Sequence, residues 1–412
     1  MDATKECSPL VRHSPLLTDR FASIRALSRE LAAPLSDADA TIQSMPDASP
    51  AKWHLAHTTW FFETFVLRDH VSGYRLFDEN WPFLFNSYYE AEGPRHARPQ
   101  RGMLSRPSLD EVLAYRAHVD AHVERVLDRP ELAALIELGL NHEQQHQELL
   151  LTDIKHAFSL NPLAPAYGAF PDSGILPAGA MEWEEHRGGR CRIGHDGSSF
   201  AFDNEGPAHD VLIQPFALAR RLVTCGEWAA FIADGGYRNP ALWLSDGWAW
   251  VNAQGITAPL YWREDGMFTL AGMQQLERSA PVAHVSFYEA DAFATWAGHR
   301  LPTEFEWEVA ARNHDPLGGM QLDNAVGVHP RGSTGLYGDC WQWTRSAYLP
   351  YPRFRPAAGA VGEYNGKFMS AQCVLKGASC ATPRGHSRST YRNFFPPEKR
   401  WQCTGVRLAK DL

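Results

Sequence analysis

The 412-residue sequence lacks three features that mark special classes of protein. It contains no apolar run of about 18 residues, so no membrane span is predicted. It contains no basic block and its net charge is −9, so nucleic acid is not an expected partner. Its N-terminus has no charged segment followed by an apolar one, so no secretory signal is predicted.

The sequence also has no cysteine motif. Seven cysteines are scattered through the chain without a CxxC motif, which argues against a disulfide framework and suits a reducing cytoplasm. An apolar fraction of 44% and a charged fraction of 21% are typical of a globular protein. The length predicts two or three domains. Aromatic residues are abundant, with 14 tryptophans.

The most informative stretch is NHEQQHQE, residues 141–148. Apolar runs flank it and no Gly or Pro follows until after residue 158, which predicts a helix. In a helix His142 and His146 lie about 40° apart, so both imidazoles can bind one metal ion. Glu148 lies roughly 120° from His142, which favours a role in orienting a ligand over ligation.

The histidine pair alone leaves several interpretations open. Glu143 follows His142 as in the HExxH motif of zinc peptidases, where the glutamate is the base. Two histidines on the polar rim of a helix are a simpler explanation. Imidazole ligands suit Zn, Fe, Ni or Cu, so the spacing does not name the metal.

Hydrophobic spacing predicts four amphipathic helices, at 17–35, 49–67, 108–127 and around the histidine pair. Four such helices predict a bundle, in which facing helices build metal sites. The second helix is expected to begin with Ser49 as N-cap, and the third with a capping box at Ser108.

His54 and His57, in the second predicted helix, are alternative candidates for a third ligand, and one of them is expected only to form a hydrogen bond in the core. The segment 86–102, rich in Arg and Pro, is predicted to be a long non-helical loop. Such loops are often functional, although a solvated crossover is the simpler interpretation.

Four prolines mark a linker after the fourth helix: Pro162, Pro165, Pro171 and Pro177. We therefore predict a helical bundle over 12–160, a linker over 161–189 and a second domain over 190–412. The second domain has predicted strands at 191–194, 209–213 and 216–219, and only two clear helices, at 224–232 and 288–297. This pattern predicts an irregular α+β domain held by aromatic packing.

Several phrases of the second domain resemble the formylglycine-generating-enzyme (sulfatase-modifying factor) family, which has a C-type-lectin-like fold. They are NEGPAH (204–209), LVTCGEW (222–228), PVAHVSF (281–287), RLPTEFEWEVAAR (300–312) and GVRL (405–408). The first domain, with HxxxHxE and the earlier phrase WHLAH (53–57), resembles a DinB-like four-helix bundle.

The two domains together resemble the iron-dependent sulfoxide synthases of ergothioneine biosynthesis. These enzymes use O₂ to join an imidazole carbon of hercynine (trimethylhistidine) to sulfur. The resemblance implies Fe(II) as cofactor. It also implies hercynine, O₂ and a sulfur or selenium donor as small-molecule partners.

The resemblance also assigns residues. It implies the iron ligands His57, His142 and His146, and a contact between Gln145 and the hercynine imidazole. The segment closing over hercynine would be 391–395, with Asn393, Phe394 and Phe395. Aromatic rings there suit a quaternary ammonium group.

Two further pairs follow from the same resemblance. Tyr88 and Tyr89 match an adjacent tyrosine pair in which one residue donates a proton, without indicating which. Arg98 and Arg101 match arginines that bind the donor's carboxylate in the glutamylcysteine-using branch, since a guanidinium pairs bidentately with carboxylates.

Three residues depart from the family's pattern: Gln342 replaces an acid, Ala378 a glycine and Cys403 an aromatic residue. A sister group, selenoneine synthase, takes a selenosugar, which needs hydroxyl partners rather than a carboxylate clamp. We therefore favour a selenosugar as the donor of this protein. Neutral drift would account for the same three changes without a change of donor.

Three other functions are open alternatives. A zinc hydrolase would use Glu143 as its base and would consume no O₂. A formylglycine-generating oxidase would need a cysteine pair, for which Cys373 and Cys380 are the candidates. A lectin-like fold can also serve as a binding module without catalysis.

Overall fold

The computed structural model describes residues 16–169, 178–264, 266–325, 328–332, 334–356, 362 and 365–412. The first part of the chain is helical. Its α-helices are α1 (Leu17–Ala32), α2 (Asp37–Thr41), α3 (Ala51–Phe61), α4 (Trp81–Phe85), α5 (Leu109–Val123) and α6 (Ala133–Ser159). Helix α3 continues into a π-helix over Phe62–Arg68.

The four longest helices, α1, α3, α5 and α6, form the predicted bundle. A buried ionic network lies at its centre. The Glu143 carboxylate accepts hydrogen bonds from Arg25 at 2.7 Å, from Ser28 at 2.5 Å and from Arg116. This network joins α1, α5 and α6 because its members come from those three helices.

Of the two predicted helix N-termini, one is confirmed and one is wrong. Helix α5 begins at the predicted capping box, in which the Ser108 hydroxyl accepts from the backbone N–H of Glu111. The predicted Ser49 N-cap is wrong, because α3 begins at Ala51 without a side-chain cap. The backbone N–H of Ser49 instead donates to the Asp153 carboxylate at 2.8 Å.

The predicted loop 86–102 contains no α-helix. Two short 3₁₀ turns occur in this region, at Glu90–Glu92 and Arg98–Met103. Gln43 fixes part of the loop, since its side-chain amide donates to the Arg98 carbonyl at 2.8 Å and its Oε1 accepts from the Gly102 N–H at 2.7 Å. The loop is therefore tied to the segment that precedes α3.

The second part of the chain contains twelve short strands among the described residues. They are β1 (Trp183–His186), β2 (Gly189–Ile193), β3 (His209–Ile213), β4 (Phe216–Ala219), β5 (Trp262–Arg263), β6 (Gly266–Thr269), β7 (Gly272–Gln274), β8 (Trp341–Ala347), β9 (Cys373–Lys376), β10 (Asn393–Phe395), β11 (Thr404–Gly405) and β12 (Ala409–Asp411). They form sheets in the orders β1-β4-β12, β10-β9-β8-β11, β2-β3 and β5-β6-β7. In the four-stranded sheet β10 pairs with β9 antiparallel, with Asn393 opposite Leu375.

Four helices lie between these strands in the described residues: α7 (Cys225–Ala233), α8 (Ser245–Gln254), α9 (Phe287–Trp296) and α10 (Glu304–Ala311). The predicted helices at 224–232 and 288–297 are confirmed as α7 and α9. The expectation of only two clear helices is wrong. A capping box from Thr303 and Glu306 begins α10, a signal that the sequence carries.

The predicted linker, 161–189, includes one of the described strands. Strand β1 pairs with β4, with Trp183 opposite Ala219, so residues 183–186 belong to a sheet of the second part. Pro171 and Pro177 lie outside the described residues. The domain boundaries themselves stay a prediction.

Helix α6 connects the two parts of the chain. Its side chains form hydrogen bonds to residues of the second part, at Gln145–Tyr391 (2.7 Å), Glu148–Trp341 (2.8 Å), Asp153–Trp401 (2.9 Å) and Lys155–His284 (2.7 Å). One helix therefore belongs both to the bundle core and to the interface. Among the described helices, none is both long and apolar enough to cross a membrane.

Candidate metal centre and active-site cavity

Three histidines come together where α3 faces α6. One ring nitrogen from each of His57, His142 and His146 lies within 4.8 Å of the other two. His57 and His142 are buried and His146 is partly buried. This is the ligand set implied by the family resemblance, and three imidazoles at this separation can hold one metal ion.

The surroundings keep these imidazoles neutral, the form that binds metal. Burial lowers the pKa of His142 to about 3, and it lowers the pKa values of His57 and His146 well below the usual range. The Nδ1 of His57 donates to the Phe85 carbonyl at 2.6 Å. Its Nε2 is buried without a hydrogen-bond partner in the described structure, as a ligand atom would be.

The structure separates the two candidates on α3. His54 does not join the three-histidine group but forms hydrogen bonds inside the core, as expected for one of the pair. Its Nδ1 lies 2.8 Å from the Nδ1 of His146, and its Nε2 lies 3.1 Å from the Asp153 carboxylate. His54 therefore contacts a candidate ligand rather than being one.

Neither Glu143 nor Glu148 has the role that was considered for it, the base of a peptidase or the orientation of a metal ligand. Glu143 is fixed by two arginines in the bundle core, so it has no freedom to act as a peptidase base. Glu148 does not orient a ligand, which corrects the prediction. Its carboxylate accepts hydrogen bonds from Trp341, Ser379 and Thr382 of the second part of the chain.

A cavity of 340 Å³ opens beside His146, between α6, the loop after α4 and the strand β10. Seven of the eight residues predicted to act on substrates line it: Tyr88, Arg98, Arg101, Gln145, Asn393, Phe394 and Phe395. Its volume lies within the range of about 300–1,000 Å³ that is usual for small-ligand sites. The cavity walls come from both parts of the chain.

The two tyrosines differ in position. Tyr88 lines the cavity, and its ring contacts Phe368 edge to face at 5.4 Å between centroids. Tyr89 is fully buried against Trp60 and Phe65 and does not line the cavity. Of the pair, Tyr88 therefore faces the space that a substrate would occupy.

Arg101 presents a buried positive charge to the cavity. Its guanidinium donates to the hydroxyls of Ser49 at 2.9 Å and Ser87 at 3.2 Å, and it lies 3.3 Å above the Trp53 ring. Its Nε is buried without a hydrogen-bond partner in the described structure, and the charge of the Asp153 carboxylate acts to raise its pKa. Burial, with the nearby charge of Arg98, lowers the pKa of Arg101 to about 8, so an anion at this point would be stabilised.

Another part of the cavity lining is aromatic. Phe394 stacks on Tyr348 with 4.1 Å between centroids, and Phe395 meets Trp401 edge to face at 5.9 Å. The amide of Gln145 donates to the Tyr391 hydroxyl at 2.7 Å, which fixes its direction. Such a wall suits a cationic or quaternary ammonium group.

The three departures from the family pattern lie away from the cavity. Gln342 is buried, and its Oε1 accepts from Trp307 and Arg407 at 2.7 Å each. Ala378 and Cys403 are buried, and the Cys403 sulfur lies 3.9 Å from that of Cys380. None of the three lines the cavity, so they do not indicate a change of donor.

That cysteine contact also bears on the oxidase alternative. The close pair is Cys380 and Cys403 rather than the predicted Cys373 and Cys380. The cavity is lined by no cysteine among the described residues. The geometry therefore offers no thiol for oxidase chemistry in this cavity.

Sequence reasoning missed Asp153 and Trp401, which reach His146 through His54. A signal was present, because Asp153 lies seven residues after His146 and seven residues return to nearly the same helix face. No pattern in the sequence indicates that Trp401, 248 positions further on, contacts Asp153.

Comparison with known families defines the class of protein. Residues 20–150 match the DinB superfamily, and residues 173–326 match the sulfatase-modifying factor enzyme 1-like domain. The chain is thus a DinB-like bundle with a three-histidine site joined to a C-type-lectin-like domain. This confirms the predicted fold class.

Whole-chain relatives narrow the class. The chain is 34% identical to a hercynine oxygenase of Mycolicibacterium smegmatis, covering 96% of this chain and 99% of that one. It is also 34% identical to a hercynine oxygenase of Mycobacterium tuberculosis, over 91% and 94%. A formylglycine-generating enzyme of Thermomonospora curvata is 38% identical over 50% of this chain and 78% of its own. The chain belongs to the hercynine oxygenase family.

Proposed function

We propose that this protein is an O₂-dependent non-heme iron enzyme that joins the imidazole carbon of hercynine to the sulfur of a thiol donor. The observation that carries the proposal is the position of the three-histidine group. His146 belongs to that group and also lines the cavity formed with the second part of the chain. Membership of the hercynine oxygenase family supports the choice of substrate.

The reaction balances without a further reductant. An imidazole C–H bond and the thiol S–H bond break, a C–S bond forms, and one oxygen atom of O₂ goes to sulfur. The other oxygen atom leaves as water with the two hydrogens. Fe(II), when bound by His57, His142 and His146, supplies the redox chemistry that O₂ requires.

The protein's own residues orient the substrates. The Gln145 amide, directed by its bond to Tyr391, is proposed to contact the hercynine imidazole. Phe394 and Phe395 provide aromatic faces for the trimethylammonium group, and Asn393 provides a polar contact. These groups are partly buried, so a substrate bound against them would displace water from the reacting atoms.

The donor is proposed to be a thiol that carries a carboxylate, such as cysteine or γ-glutamylcysteine. Arg101 supports this, because its buried guanidinium donates to hydroxyls rather than to a carboxylate of the described residues, and its Nε has no hydrogen-bond partner there. Arg98, at the exposed rim of the same cavity, would add a second positive charge. With a selenosugar as donor, the hercynine carboxylate would be the one substrate carboxylate left to pair with Arg101.

Tyr88 is proposed as the proton donor, because it lines the cavity and Tyr89 does not. A phenol can deliver a proton at this position when its neighbours hold the ring in place. The stacking of Tyr88 on Tyr89, with 4.8 Å between centroids, supplies that restraint. We also propose that the protein acts in the cytoplasm, as the pattern of its cysteines predicts.

The test is O₂ uptake by protein reconstituted with Fe(II) under anaerobic conditions. Hercynine is supplied with cysteine, γ-glutamylcysteine or a selenosugar, and products are identified by mass spectrometry. We expect a sulfoxide with a carboxylate-bearing thiol. Turnover with the selenosugar alone would overturn the donor assignment. No O₂ uptake with any donor would overturn the proposed reaction.

The same preparation tests the remaining alternatives. A His142→Ala variant is expected to bind no iron and to consume no O₂. Unchanged turnover in this variant would remove the three-histidine group from the reaction. Peptide hydrolysis by zinc-loaded protein would favour the zinc hydrolase instead.

A further inference from the structure

We propose that Asp153 is a positioning residue for the metal centre, and that Trp401 from the second part of the chain holds it in place. The inference rests on the proposed metal centre. It adds that the orientation of one ligand depends on contact between the two parts of the chain.

The hydrogen bonds form a continuous path. The indole N–H of Trp401 donates to Oδ1 of Asp153 at 2.9 Å. Oδ2 of the same carboxylate accepts from Nε2 of His54 at 3.1 Å, and Nδ1 of His54 lies 2.8 Å from Nδ1 of His146. Asp153, His54 and Trp401 are all buried.

This path fixes the proton on each ring. A carboxylate only accepts hydrogen bonds, so Nε2 of His54 carries the proton and its Nδ1 is the acceptor. Nδ1 of His146 is therefore the donor between the two rings. The Nε2 of His146 then has its lone pair available for a metal ion.

A carboxylate is required at position 153 because both of its oxygens accept. Oδ2 also accepts from the backbone N–H of Ser49 at 2.8 Å, while Oδ1 accepts from Trp401. An amide in either orientation would place its NH₂ group against at least one of these N–H donors. It could also donate to His54, which would reverse the proton order along the path.

Trp401 brings the second part of the chain into this path. It lines the cavity and packs against Phe395, so the segment that faces the substrate also contacts the metal side of α6. Partners of metal ligands that lie one contact away typically change metal affinity about 10–100-fold when they are replaced. We therefore expect Asp153 and Trp401 to set metal affinity without touching the metal.

The test measures metal binding rather than turnover. Co(II) and anaerobic Fe(II) are titrated into the metal-free full-length protein by calorimetry, and the visible spectrum of the Co(II) form reports the ligand geometry. Asp153→Asn is expected to raise the Kd about 10–100-fold and to change the Co(II) spectrum. Trp401→Phe, which removes the N–H donor and part of the ring, should give a smaller change in the same direction.

Trp341→Phe is the matched control. Trp341 also donates its indole N–H to a carboxylate of α6, Glu148, at 2.8 Å. Glu148 forms no hydrogen bond to a histidine of the described structure. We expect this variant to retain the wild-type Kd and Co(II) spectrum, because its lost bond lies outside the path.

The outcomes separate the inference from the proposed function. If the wild-type protein binds neither metal, the proposed metal centre is wrong. If it binds them but folded Asp153→Asn has the same Kd and spectrum, the positioning role is wrong. An equal loss of metal affinity in Trp401→Phe and Trp341→Phe would also overturn the inference. The effect would then come from the interface as a whole rather than from the path through Asp153. Trp401→Phe decides the question if Asp153→Asn does not fold.

Discussion

At the scale of single residues, the cavity combines the buried guanidinium of Arg101 with aromatic side chains. Arg101 contributes the charge, and the aromatic part of the lining includes Phe394 and Phe395. Hercynine carries a carboxylate and a quaternary ammonium group, and the proposed donors carry a carboxylate and a thiol. The charge of Arg101 therefore has two possible partners, which substrate analogues can distinguish.

Replacement of Arg101 by Gln should raise the KM for the carboxylate-bearing thiol. Loss of a buried charge-assisted hydrogen bond costs about 1.5–3 kcal/mol, which corresponds to roughly a 10–100-fold change. Steady-state O₂ uptake with cysteine and with cysteamine, which lacks the carboxylate, measures the effect. A similar rise with both thiols would show that Arg101 does not bind the donor carboxylate.

The tyrosine pair offers a comparison of adjacent residues. Tyr88→Phe should lower kcat about 10²–10⁴-fold, the usual contribution of a general acid. Tyr89→Phe should leave kcat nearly unchanged, because its ring is enclosed by Trp60 and Phe65. Single-turnover product analysis of both variants provides the measurement, and the opposite ranking would assign the proton to Tyr89.

At the scale of elements, helix α6 carries the metal ligands, the core network and the contacts to the second part of the chain. Its 27 residues present these groups on different faces. The face of Glu143 points into the bundle, where two arginines meet one carboxylate. Stability and metal binding can therefore be changed independently on this helix.

Glu143→Gln should lower the free energy of unfolding by about 3–5 kcal/mol, because it leaves buried arginine charge without its partner. Arg25 and Arg116 are nearly inaccessible to solvent. Glu137→Gln on the same helix is the control, since its ion pair with Arg20 is partly exposed and should contribute less than about 1 kcal/mol. Urea denaturation measures both, and equal losses would contradict the assigned role of the network.

Much of α6 could be predicted from the sequence, and the reason for the rest is physical. Helical periodicity places His142 and His146 on one face, which the structure reproduces. It also places Glu148 on another face but cannot state what that face contacts. The partner is Trp341, almost 200 residues away, so the prediction that Glu148 orients a ligand failed.

At the scale of the whole molecule, the fold was predictable because five phrases of the second domain and the HxxxHxE helix of the first resemble known families. The cavity was not, because its walls come from segments that are distant in sequence, such as Tyr88 and Asn393. Helix α8 was not predicted either, because its hydrophobic pattern is weak and contacts distant in sequence support it. Helix α8 contains Gly247 and lies against Tyr288, so tertiary contacts rather than periodicity support it.

Buried histidines should make the metal-free protein sensitive to acid. The pKa values of His142, His329 and His386 are lowered by burial to about 3. The unfolded chain binds these protons below about pH 6.5, whereas the folded chain does so only near pH 3. Stability is therefore fully present above pH 6.5 and falls as the pH is lowered through this window, by about 1.4 kcal/mol per pH unit for each group.

Denaturant titrations of the EDTA-treated protein at several pH values between 7.5 and 4 provide the measurement. His386→Gln serves as the control, because removing one such histidine should reduce the slope by one proton. A free energy of unfolding that is constant over this range would contradict the buried, neutral state of these histidines.

The two-sided role of α6 has a consequence for chimeric proteins built from relatives of this chain. A recombinant that takes its bundle from one parent and its lectin-like part from another would combine residues of different origin at two contacts. Glu148 and Asp153 would come from the first parent, and their partners Trp341 and Trp401 from the second. Crossovers between residues 160 and 182 would therefore succeed only when both parents share these contacts. An active chimera therefore needs matching contact surfaces on both parts of the chain, and not only two correctly folded parts.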